Sequence, residues 1–132
     1  MPQRNSSTAT TDQATITEAL RFGGIVLPPT ATVLGVHSDK GIDQLYRLVL
    51  QIDPGSVDAL LSGSGFTTPL EAGRQVFMSP VEGFTPASPT KVASAQDTLP
   101  PRDDRDQTVT REVLVDSSDP ARTLVHLWLF TT

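Results

Sequence analysis

The stretch 44–66, QLYRLVLQIDPGSVDALLSGSGF, decides the fold. It is either one long apolar helix or two elements joined at Asp53-Pro54. Residues 42–52 fit both periods. Ile42, Leu45, Tyr46 and Val49 share a helical face. Tyr46, Leu48, Leu50 and Ile52 share a strand face, with Arg47 and Gln51 opposite. The preceding Asp39-Lys40-Gly41 is a turn signal that joins two strands. Tyr46, Val49 and Ile52 also prefer a pleated surface. The first half is therefore read as a strand. In the second half Asp53 is placed to cap a helix and Pro54 suits its first position. Val57, Leu60 and Leu61 follow at i, i+3 and i+4. Gly63 and Gly65 supply the stop, and Phe66 folds back on the helix end. The stretch reads as a strand followed by a short amphipathic helix.

Working outward, residues 30–38, TATVLGVHS, read as the strand before that turn. Upstream, Ile16, Ala19 and Leu20 suit a short helical turn that Gly23-Gly24 ends. Pro28-Pro29 then closes the apolar run Ile25–Leu27. Residues 1–14 are rich in Ser, Thr, Gln and Asn and read as a disordered arm or linker. Asn5-Ser6-Ser7 fits a glycosylation sequon, a short and common pattern.

Downstream, residues 67–107 hold six of the eleven prolines and no sustained period. Val76, Phe77, Met78, Val81 and Phe84 make an apolar centre that reads as a short strand or a packed loop. Around 85–107 the reading is a long Pro-rich surface loop, unusual in a compact domain. The end is clear again. Residues 107–115 alternate, with Val109, Val113 and Val115 on one side and Thr110 and Glu112 on the other. A turn, DSSDPA, leads to RTLVHLWLFTT, residues 122–132, rich in branched and aromatic residues.

The fold class that follows is α+β. An antiparallel sheet of about four main strands, ordered ββα, long loop, ββ, carries one short helix on one face. Residues 15–132 form a single domain. Strands 42–52 and 122–131 are apolar on both faces and belong at the centre, with both faces covered. One helix cannot cover both. The second face needs the 16–27 segment, the 76–84 segment or another protein.

Composition limits the function. The chain has 132 residues and a formal net charge of −5. A nucleic-acid module needs a basic face, and no Lys/Arg cluster is visible. There is no cysteine, which excludes disulfides, thiolate metal sites and cysteine catalysis. No run approaches the ~20 apolar residues of a spanning helix, so this segment does not insert in a membrane. The start has no apolar signal region.

Few residues suggest chemistry. His37 lacks a companion at metal-ligand spacing beyond Asp39 and Asp43. Ser64 in SGSGF falls short of a G-x-S-x-G elbow and ends a helix. Asp103, Asp104 and Asp106 are interleaved with Arg102 and Arg105 and read as a solvated loop. Trp128 shares a face with Leu124, His126 and Phe130. Core packing is the plain role for it. If that face is uncovered, His126, Trp128 and Phe130 form an interaction patch with Tyr46 or Arg47 nearby, since aromatics and arginine dominate binding hot spots.

Two blocks, FGGIVLPPTATVLGVHSDKGIDQLYRLVLQIDPGSVDALLSGSGF and VTREVLVDSSDPARTLVHLWLFTT, resemble small actinobacterial proteins that are membrane-anchored or secreted and have no assigned activity. The resemblance covers about half the chain. Its motifs are structural, so no functional residue is carried over. It implies an extracytoplasmic domain held by an N-terminal membrane segment. This sequence begins without such a segment, so an anchor would have been trimmed; otherwise the location is cytoplasmic.

The sequence thus favours a non-catalytic extracytoplasmic binding or interaction domain, with no cofactor and an unknown protein or small ligand as partner. One alternative is a small hydrolase-like enzyme using unplaced carboxylates or hydroxyls. The other is a structural, self-associating module, such as a homodimer through the apolar sheet face.

Overall fold

The computed structural model describes residues 12–40, 44–72, 81, 91–101, 107–119 and 121–131. Asn5, Asp43, Asp103, Asp104, Asp106 and most of the 76–84 apolar segment lie outside these. Val81 is described and is buried.

Among the described residues the chain forms two short helices and one open antiparallel sheet of six strands. Helix α1 spans Gln13–Gly23. Strands β1 (Thr32–Lys40) and β2 (Gln44–Ile52) follow. A single 3-10 turn at Pro54–Ser56 leads into α2, Val57–Gly63. Then come β3 (Glu71–Ala72), β4 (Val92–Leu99), β5 (Val109–Asp116) and β6 (Thr123–Thr131). The spatial order is β1-β2-β6-β5-β4-β3. The two strands that are apolar on both faces, β2 and β6, sit side by side in the middle. Their register pairs Leu48 with Leu127 and Leu50 with Val125.

The main core lies on one face of this sheet. Tyr46, Leu48, Leu50 and Ile52 of β2 join Val125, Leu127 and Leu129 of β6 there. Ile16 and Ala19 of α1 and Leu60 of α2 pack on them, so both helices cover the same face.

Helix α1 starts earlier than its apolar residues suggest. The Asp12 carboxylate accepts from the Thr15 backbone N–H at 3.0 Å and from the Thr15 hydroxyl at 2.9 Å. This satisfies one amide that the first turn leaves free.

Both helices end in the same motif. Gly24 has φ +63°, its N–H donates to Arg21 O, and Ile25 N–H donates to Leu20 O. Gly65 has φ +71°, its N–H donates to Ser62 O, and Phe66 N–H donates to Leu61 O. This is the Schellman arrangement, in which a left-handed residue closes the last turn.

Three expectations are corrected. The sheet has six strands rather than about four, and there are two helices rather than one. The added strand β4 occupies eight residues of the stretch read as a loop. Its side chains are mostly small or polar, and its ladder to β5 runs its full length from Val92↔Asp116 to Leu99↔Val109. Pairing with a strong neighbour overrides a weak local preference. Asp53 precedes the second helical segment as expected, but its side chain makes no capping hydrogen bond. Its backbone carbonyl accepts from Ser56 N–H instead.

Candidate functional site

The strongest polar constellation is buried on the helix-bearing face. Arg111 of β5 and Asp97 of β4 are cross-strand partners. Arg111 Nε donates to Asp97 Oδ1 at 2.8 Å, and Nη2 donates to Oδ2 at 2.7 Å. Nη1 donates to Gly23 O at 3.0 Å and to Ser64 O at 2.7 Å. Those two carbonyls belong to the last residues before the left-handed glycines of α1 and α2. The Phe66 ring lies 4.2 Å from the guanidinium carbon. One cation therefore closes two helix C-termini, where the helix dipole favours positive charge. It uses four of the five donors that a guanidinium offers. Arg111 is 0% exposed. With its donors taken by the chain itself, this constellation is a structural clamp.

The opposite face is different. Across it runs one row of register partners: His37, Arg47, Trp128, Glu112 and Gln96. The next row holds Gly35, Val49, His126, Leu114 and Ser94. Val92, Leu114 and Trp128 form a small second core, with Leu45 and Phe130 against it. The His126 and Trp128 rings stack at 6.1 Å with an interplanar angle of 22°.

Burial changes along this face. Towards the Val92–Asp116 end, Ser94, Leu114, Asp116 and His126 are buried. Towards the Leu99–Val109 end, Gln96 and Thr98 are exposed, and Thr110, Glu112 and Phe130 are half-buried. Glu112 sits at this boundary. Its Oε2 is buried and has no hydrogen-bond partner among the described residues. Burial pushes its carboxyl pKa up, because loss of water disfavours the charged form.

The five residues singled out from the sequence do not all meet. Arg47, His126, Trp128 and Phe130 share the second face, and Arg47 pairs directly with Trp128. Tyr46 lies on the helix-bearing face. There its hydroxyl donates to Glu18 of α1, and the Phe22 ring lies 5.0 Å away. Burial, and then Glu18, raise the Tyr46 pKa. Trp128 and His126 are each 1% exposed, whereas Arg47 and Phe130 are half-buried. The accessible part of the face thus lies around Phe130 and Glu112 rather than on the Trp128 ring.

Arg111, Asp97 and Glu112 were not singled out by the sequence reading. Arg111 had a visible signal, since it falls between Val109 and Val113 on the apolar side of an alternating strand. A charge there demands a buried partner. Glu112 had none. It reads as an outward residue unless β4 is known to flank it.

These features define an α+β protein with a single open antiparallel sheet and both helices on one of its faces. No protein-family model, curated protein or solved structure matches this chain.

Proposed function

We propose that the protein is a non-catalytic binding domain that takes its ligand or partner at the open end of the second sheet face. One observation carries the reading: Glu112 keeps a buried, unsatisfied carboxylate oxygen at the edge of an aromatic cluster. Such a group costs stability in the free protein. Sequences tend to break the rule of satisfied polar groups at functional sites. The residue sits where the buried part of this face gives way to exposed Gln96 and Thr98, which is where a partner has access. The resemblance to anchored or secreted actinobacterial proteins supports a cell-envelope location. No described helix is long and apolar enough to cross a membrane.

The test is cross-linking in cells from a photoreactive residue placed at exposed Thr98, with exposed Asp58 of α2 as the control position. A capture specific to position 98 and lost in the Glu112→Gln variant supports this face. Equal capture from both positions, or none from position 98, contradicts it.

A further inference from the structure

We infer that Arg111 makes the C-terminal ends of α1 and α2 open and close as one unit, a latch between two helices whose bodies barely meet. Both helices cover the same sheet face, but α1 packs mainly on β1, β6 and β5 and not along α2. Coupling between the helices therefore runs through their ends.

Three observations meet there. One nitrogen, Arg111 Nη1, donates to both ends, at Gly23 O and at Ser64 O. Nε and Nη2 are held by Asp97, whose Oδ2 also accepts from Thr67 N–H at 3.3 Å. The two chain exits also touch directly. Val26 N–H donates to Ser64 Oγ at 2.9 Å, and a Cβ placed on Gly63 would lie 3.7 Å from Val26 Cβ. Finally, the cation is fully buried, with the Phe66 ring over it.

If the α1 end withdraws, Nη1 loses one acceptor and Val26 N–H loses another in a buried place. A buried donor left unsatisfied carries its full desolvation penalty. If the α2 end withdraws, Nη1 loses Ser64 O, the Phe66 ring leaves the guanidinium and Thr67 leaves Asp97. Once either end has left and water reaches the cation, the second end leaves at less cost. Such coupling is reciprocal, so whatever loosens α1 loosens α2.

Hydrogen exchange of the full chain reads the two ends separately. Ile25 N–H, bonded to Leu20 O, reports on α1, and Phe66 N–H, bonded to Leu61 O, reports on α2. Ala14→Gly weakens α1 at an exposed position of its first turn. Exchange at Ile25 should rise about fivefold, the usual scale of an Ala-to-Gly change in a helix, and exchange at Phe66 should rise by the same factor. In urea the two amides should share one slope, shallower than that of Leu48 and Leu127 in the central strands. Arg111→Lys supplies three donors from one nitrogen in place of the four bonds. In that background Ala14→Gly should speed Ile25 alone.

A Phe66 rate unchanged by Ala14→Gly overturns the inference, whatever Ile25 does. So does one urea slope common to all four amides, because only global unfolding would then join the helices. Equal acceleration of both amides in Arg111→Lys shows coupling that bypasses Arg111 and overturns its role. Should that variant fail to fold, Asp97→Asn loosens the same anchor and is read in the same way.

Discussion

Arg111 brings a full charge into an apolar face, and its surroundings account for each bond it makes. Breaking a buried pair by removing one partner costs about 3–5 kcal/mol. Arg111→Met should therefore lower unfolding stability by about that much in urea titrations. In a simple buried pair, replacing both partners by apolar residues restores stability. Here Arg111→Met with Asp97→Leu should recover only part of the loss, because Gly23 O and Ser64 O still lose their donor. Gly24→Ala should cost about 1 kcal/mol or more, since φ is +63° and a Cβ would stand 3.2 Å from Leu99. Tyr46 is held protonated by burial and by Glu18. A folded pKa above the ordinary value of 10.0 gives stability that is full below that value and is lost as pH rises beyond it. Tyr46→Phe should cost about 1 kcal/mol at neutral pH and flatten the alkaline limb of the stability curve, read by denaturant melts.

At the scale of elements, the legible parts were those with a strong local signal. The Asp53-Pro54 break, the alternation of Tyr46, Leu48, Leu50 and Ile52, and the Gly65-Phe66 stop all stand in the structure as local chemistry implies. The central places of β2 and β6 followed from their two-sided apolarity. Strand β4 was not legible. Ala93, Ser94, Ala95 and Gln96 have little strand preference, and flanking prolines imitate a loop. Its order comes from β5, a long-range pairing that no local window contains. That omission also hid the candidate site, because Glu112 is flanked only once β4 is in place. Hydrogen exchange measures this directly. Amides of Val92–Leu99 that face β5 should be protected well beyond loop rates, and exchange at random-coil rates throughout would contradict the strand.

At the scale of the whole molecule, the sheet separates two tasks. One face holds both helices, the main core and the Arg111 clamp. The other holds a smaller apolar core around Trp128 and one unsatisfied carboxylate oxygen of Glu112. The clamp ties the ends of both helices to strands β4 and β5. Burial of Glu112 carries a cost to the free protein. Its raised pKa gives the sign. The neutral form is favoured in the fold, so full stability is present below the ordinary carboxylate value of 4.5 and is lost as pH rises through the higher folded value. The most direct test is thermal unfolding of the wild type and of Glu112→Gln from pH 4 to pH 8. The variant should melt a few degrees higher at pH 7, and the difference should vanish towards pH 4. A wild type that is the more stable of the two at pH 7 would show an ionised Glu112 already satisfied within the fold, and the proposed site would lose its basis.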